Sequence, residues 1–205
     1  MTRTSLAEAS EALARRSPAM ARLMTLHGPC RLGPRPRVSE RFASLARAIV
    51  YQQLAGAAAG AIWGRVLASL DGDCSAARVA ATEREVLRGA GLSAAKTASL
   101  LDLAERDLSG QLGLAGLGRL GDEEVVARLV QVRGIGPWTA HMFLLFTLHR
   151  LDVWPTGDLG VRKGYALAFR LEDLPSPTEL ERAGELFRPY RSVAAWYCWR
   201  ACERV

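Results

Sequence analysis

Apolar residues along this chain recur mostly three and four positions apart. Phe42, Leu45, Ala46 and Ile49 fall on one face of a helix. Val125, Val126, Leu129 and Val130 form a second such face behind Asp122, a residue suited to cap that helix. Ser176-Pro177-Thr178-Glu179 combines a serine cap, a proline at the first helical position and a glutamate three residues after the cap. Thr82-Glu83-Arg84-Glu85 has the same box form with threonine. Alternating runs of the kind that build half-buried strands are scarce. The pattern predicts an all-α protein of about ten helices joined by short loops. The longest irregular stretch is expected at HGPCRLGPRPRV, His27 to Val38, where Arg31, Arg35 and Arg37 either touch phosphate or sit in a solvated loop. Residues 55–62, AGAAAGAI, are small enough to let a helix backbone approach a neighbour closely.

One connection carries more than a change of direction. Between VVARLVQV and AHMFLLFTLHR, both helical in pattern, lies RGIGPWT, Arg133 to Thr139. It lacks the third glycine of a dinucleotide loop and follows a helix instead of a strand, and no G-K-[ST] marks a phosphate loop. It reads as a tight turn between helices. Gly134 and Gly136 are expected in backbone conformations with positive φ, Ile135 anchors the turn inward, and Pro137 opens the next helix. Bare amides beside a helix N-terminus suit an anion, and a DNA phosphate fits without any base being read. The same residues also serve as an ordinary helix–helix connection.

Charge shifts the balance toward nucleic acid. The net charge is +6, and residues 1–50 carry all of it: nine arginines against three glutamates, with 18 basic and 18 acidic residues in the remainder. Arginine supplies 25 of the 27 basic residues, and its fork matches phosphate oxygens. With 205 residues and 49% hydrophobic content the chain suits one large domain or one core divided by a cleft. No apolar run reaches the roughly 18–20 residues that span a bilayer. The N-terminal stretch has no apolar signal region, so a cytoplasmic protein acting on nucleoid DNA is expected, with no membrane partner. Cys30, Cys74, Cys198 and Cys202 form no tight group of four, and His141 and His149 lack ligand spacing. Reduced packing or surface residues are therefore expected, with no iron–sulfur cluster.

A second motif follows, LDVWPTGDLGVRKGYALAF, in which Asp158, nineteen residues past Thr139, opens a helix. Alone, Asp158 reads equally as an N-cap. Together, VRGIGPWTAHMF and DVWPTGDLGVRKGY resemble the helix-hairpin-helix–Gly/Pro–Asp superfamily of DNA glycosylases. LARAIVYQQLAGAAAGAIWGR, residues 45–65, resembles its helix and Gln-Gln-Leu turn. GLSAAKTASLLDLA, residues 91–104, resembles its middle helix, and YRSVAAWYCW, residues 190–199, its tryptophan-bearing final helix. The similarity covers roughly residues 40–200 and is strongest to the compact DNA-3-methyladenine glycosylase II type, without the additional N-terminal β-rich domain of longer relatives.

The resemblance implies a two-lobed all-α fold with DNA across a central cleft and a flipped base inside it. The lobes are expected at residues 1–45 with 165–205, and at 46–164, within one glycosylase unit spanning 1–205. It implies Asp158 as the carboxylate that stabilises an oxocarbenium-like sugar and directs water. Trp138, Trp199 and Met142 are the implied base pocket, Trp196 competing with Trp199 for that role. Gly134, Gly136, Thr139, Gln53 and Leu54 are the implied DNA contacts. Leu54 is either the wedge that fills the gap in the duplex or a buried helix-end leucine. The carbonyls of Val130, Val132 and Ile135 are the implied ligands of a structural Na+ or K+; no cofactor is required for catalysis. Family members that also cut the backbone carry a lysine where this chain has Trp138, and only Lys96 and Lys163 occur in the whole sequence. The expected protein is a monomeric, monofunctional glycosylase acting on double-stranded DNA with alkylated bases of the 3-methyladenine and 7-methylguanine class. A non-catalytic hairpin DNA-binding protein, or a glycosylase for another damaged base, remains the alternative.

Overall fold

Serine and aspartate side chains set many of the helix starts. In the computed structural model, which describes residues 4–203, Ser5 and Glu8 close a reciprocal capping box on α1 (Leu6–Arg16). Ser17 caps α2 (Pro18–His27), with proline at its first position. Next come α3 (Arg41–Tyr51), α4 (Gly56–Ser69), α5 (Ala76–Ala80), α6 (Arg84–Gly89) and α7 (Ala94–Leu108). They are followed by α8 (Asp122–Leu129), α9 (Pro137–Phe146), α10 (Leu159–Phe169), α11 (Pro177–Gly184) and α12 (Arg191–Ala201). Three short 3-10 turns complete the regular structure, and the described residues contain no strand. The twelve helices among the described residues exceed the number read from periodicity because α5 and α6, five and six residues long, are too short to show a period.

The residues fall into two compact units. The first joins the chain ends, Met1–Arg35 with His149–Val205, and the second is Pro36–Leu148. These boundaries differ from the expected 45/46 and 164/165. The α3 helix belongs with α4, α7 and α9, on which its apolar face packs, and α10 belongs with α12 and α2. Asp158 therefore lies in the unit formed by the chain ends, not in the unit that carries the hairpin.

In the first unit α10 packs along α12, and α1 along α2. The core contains Leu13, Met20, Val161, Leu180, Phe187 and Val193. Tyr197 is wholly buried, and its hydroxyl donates to the Gly28 carbonyl at 3.0 Å, as a buried phenol requires. In the second unit the expected face of α3 is buried at Phe42, Leu45, Ala46 and Ile49. Arg41, also buried, donates to the carbonyls of Leu114 and Ala115 at 2.6 and 2.9 Å.

Several local expectations need correction. The Ser176–Glu179 box forms, but Thr82 does not cap α6. Its hydroxyl donates back to the Arg78 carbonyl at 2.8 Å, within reach of the end of α5. Asp122 is the first residue of α8, after the N-cap Gly121, so it acts on the helix dipole and not as a cap. Val130 is 38% exposed, because α8 stops at Leu129 before the face is complete. Within 55–62 only Ala59 is buried, so that run makes no broad helix contact. The irregular segment 147–158 is longer than that at 28–37, and it delivers the chain to Asp158.

Candidate active site

The approach to Asp158 is held along its length. Ser192 on α12 accepts the Val153 N–H at 2.9 Å and donates to the Arg150 carbonyl at 2.7 Å. Asp152 takes two bonds from the Arg191 guanidinium, at 2.8 and 3.1 Å. Trp154 is buried, and its indole N–H donates to the Leu180 carbonyl at 2.7 Å. The Asp158 N–H then closes on the Pro155 carbonyl at 2.9 Å, turning the chain into α10.

Asp158 is the N-cap of α10 and is only 8% exposed. Its Oδ1 accepts the Val161 N–H at 2.8 Å. The same oxygen accepts the indole N–H of Trp199 at 2.9 Å. Cap and site residue are thus compatible roles: both of these bonds hold the carboxylate at Oδ1. Trp199 meets Asp158, whereas Trp196 is buried against Tyr197 and lies beneath the Arg200 guanidinium, 5.3 Å from its ring centroid.

Two glycines of α10 make this geometry fit. A Cβ on Gly160 would lie 2.8 Å from Trp199 Cδ1 and 3.1 Å from Asp158 Oδ1. A Cβ on Gly164 would lie 1.7 Å from the Cys198 carbonyl oxygen. The backbones of α10 and α12 therefore touch where Gly164 stands, and the touch brings Trp199 to Asp158. Burial raises the Cys198 thiol well above its ordinary range, which suits packing better than nucleophilic chemistry.

The second unit carries the remaining site residues. After α3, Gln52 is the C-cap, Gln53 takes a left-handed conformation with φ 56°, and Leu54 is 38% exposed. In the hairpin Gly134 has φ 77°, as expected. Gly136 does not: it is extended, φ −98°, because it serves as the N-cap of α9. No side chain caps that helix, so its first-turn amides are not taken up by a capping side chain. Ile135 is buried, as an anchor should be, while Trp138 is 49% exposed and Met142 is half-buried. The Thr139 side chain is buried, its hydroxyl 3.4 Å from Gln52 Nε2. Its backbone amide, and not its hydroxyl, is the group suited to a phosphate. Val130 is the C-cap of α8, and the Val132 carbonyl accepts the Ile135 N–H at 3.0 Å. These neutral carbonyls at the negative end of a helix suit an alkali cation in donor chemistry. Among the described residues no group of three or more His, Cys, Asp or Glu gathers as a metal site.

The model of the HhH-GPD superfamily of base excision DNA repair proteins matches residues 46–189. This chain belongs to that superfamily. The match includes the Gln-Gln-Leu turn, the hairpin and Asp158. The HhH-GPD chain is 36% identical to DNA-3-methyladenine glycosylase 1 of Schizosaccharomyces pombe over 89% of its own length and 81% of that protein. Its fold matches the structure of S. pombe 3-methyladenine DNA glycosylase Mag1 in complex with abasic DNA, with a TM-score of 0.79 and 35% identity, covering 94% of this chain and 95% of that one. It also matches a DNA-3-methyladenine glycosidase from Bacillus halodurans, with a TM-score of 0.84 and 31% identity, covering 94% and 88%.

Several positioning residues of this HhH-GPD protein were not singled out from sequence. Gly160 and Gly164 carried a usable signal, since two glycines four apart inside a helical pattern ask for a packing reason. Asp102, which accepts the Arg133 N–H at 2.7 Å, carried none, because it reads as a surface partner of Arg106. The Trp199–Asp158 bond is directly testable. Trp199→Phe keeps an aromatic face but removes the donor. Its single-turnover rate of base release is expected to fall about tenfold, the equivalent of roughly 1.5 kcal/mol for a hydrogen bond to a charged group. An unchanged rate would mean that Trp199 acts through its ring alone.

Proposed function

We propose that this protein is a monofunctional DNA glycosylase that flips alkylated bases of the 3-methyladenine and 7-methylguanine class out of duplex DNA and hydrolyses their N-glycosidic bonds. The observation that carries this reading is the buried Asp158 carboxylate, held at Oδ1 by the Val161 amide and the Trp199 indole, in a chain with tryptophan at hairpin position 138. The names of the relatives support the substrate class, and the Mag1 complex with abasic DNA supports a DNA partner.

The chemistry follows from charge. As the glycosidic bond breaks, positive charge develops on the sugar, and the fixed Asp158 carboxylate stabilises it and deprotonates or orients the attacking water. An alkylated base is itself cationic and leaves readily, so strong acid assistance is unnecessary. The exposed Trp138 ring offers such a cation an attraction of about 0.5–2 kcal/mol, and Trp199 and Met142 complete the proposed set of base contacts. Gly134, Gly136 and the Thr139 amide hold phosphate, and Gln53 and Leu54 enter the gap left by the flipped base. Val130, Val132 and Ile135 would hold Na+ or K+ through their carbonyls, adding positive charge beside that phosphate. The protein acts as a monomer, in the cytoplasm.

A lyase step needs an amine that attacks the sugar. Lys96 is engaged with two main-chain carbonyls at 2.7 Å each, and the only other lysine is Lys163. Methylated duplex DNA incubated with the protein is therefore expected to release 3-methyladenine and 7-methylguanine, with strand breaks appearing only after alkali. Borohydride should trap no covalent adduct. A trapped adduct would overturn the water mechanism, and binding without release would favour a non-catalytic DNA-binding protein.

A further inference from the structure

We infer that Lys96 is a positioning residue that sets the Leu54 wedge turn against the hairpin, so that wedge insertion depends on a charge that makes no contact with DNA itself. The inference deepens the glycosylase reading and rests on it for the role of Leu54.

Lys96 stands in an unfavourable place for its own helix. Ser93 caps α7, so Lys96 is the third residue of the first turn, where the helix dipole repels a cation. Its ammonium reaches away to the end of α3 and donates to the carbonyls of Val50 and Gln52, 2.7 Å each. That is the end of a helix where a cation is favoured and where carbonyls lack intrahelical partners. The residue next in the chain is Gln53, a non-glycine residue held in the left-handed region, and then Leu54, whose N–H closes on the Tyr51 carbonyl at 3.3 Å. A left-handed conformation is unfavourable in a residue with a side chain and needs surrounding contacts to persist. Lys96 supplies two of them, one on the residue immediately before and one on Val50.

The same helix also supports the hairpin. Ser99, one turn after Lys96, lies beneath Gly134: a Cβ there would come 2.6 Å from its hydroxyl. Asp102, another turn on, accepts the Arg133 N–H at 2.7 Å. Gln52 closes the circuit, its side-chain amide donating to the Gly134 carbonyl at 2.8 Å. Lys96, Ser99 and Asp102 thus form one stripe of α7 against which both the wedge turn and the hairpin are registered. A turn with slack here would leave phosphate binding largely intact and blunt the insertion of Leu54.

The test uses a duplex with a tetrahydrofuran abasic analogue and 2-aminopurine beside it, whose fluorescence rises when neighbouring bases unstack. Saturating wild-type protein is expected to raise it. With Lys96→Met the amplitude should fall by at least about half and base release about tenfold, since small misplacements carry large losses, while duplex affinity changes less than about threefold. Lys96→Arg should restore most of the amplitude. A wild-type amplitude in Lys96→Met overturns the inference, as does a wild-type protein that binds without any rise. Should circular dichroism show that Lys96→Met does not fold, Gln52→Leu decides by the same amplitude. A rise in wild type without base release would sink the glycosylase reading while leaving the positioning role standing.

Discussion

Asp158→Asn is expected to abolish most base release while leaving duplex binding and folding near wild type. Asparagine keeps the carbonyl oxygen that accepts from Val161 and Trp199, and it is as good an N-cap as aspartate. What it loses is the negative charge and the capacity to take a proton from water. Removing one preorganised electrostatic group from an active site costs about a hundred- to a thousandfold in rate, and a loss of at least that size is expected here. The measurement is single-turnover release of 7-methylguanine beside an anisotropy titration with abasic duplex. Undiminished release would remove Asp158 from the reaction. Asp158→Ala is a poorer test, because it also removes the cap and strands the Trp199 donor, with a stability loss of about 1 kcal/mol from the cap alone.

Gly164→Ala is expected to be the most destabilising single-methyl change in the first unit. A helix interior normally gains up to about 1 kcal/mol when glycine becomes alanine. Here the new Cβ would lie 1.7 Å from the Cys198 carbonyl oxygen and 2.3 Å from its carbon, and neither atom can rotate away. The helices α10 and α12 must separate. Overpacking of this kind costs about 3 kcal/mol or more, which lowers the unfolding midpoint by several degrees in a chain of this size. Separation also lengthens the Trp199–Asp158 bond, so release should fall even in the protein that remains folded. Gly64→Ala in α4, where a Cβ would meet nothing within 4 Å, is the control and should be neutral or slightly stabilising. Equal melting behaviour of the two variants would show that α10 and α12 have room to spare.

The elements most legible in the sequence were those set by near neighbours. The α3 face, the Ser176 capping box and the Pro137 helix start each depend on residues within one or two turns, and each forms. Thr82 and Asp122 show where local reading ends. Both have the residue type of a cap, but each helix begins one residue away from the position that type implied. The run at 55–62 shows the same weakness from the other side. Small residues permit a close helix approach, but they do not choose it, and the approach occurs instead at Gly164.

By itself the sequence determined the all-α class, the hairpin between α8 and α9, and the constellation of Gln-Gln-Leu turn, hairpin and aspartate that marks the HhH-GPD superfamily. Those features rest on periodicity, turn chemistry and motif spacing along the chain. Only the tertiary structure decided that Trp199 and not Trp196 holds Asp158, that Gly160 and Gly164 make that possible, and that Lys96 supports the wedge turn. Each is a meeting of groups 34 to 46 residues apart, from Gly164 and Cys198 at 34 to Lys96 and Val50 at 46. Helix register and the contact of two backbones fix such pairs, and neither is encoded in any short window of residues.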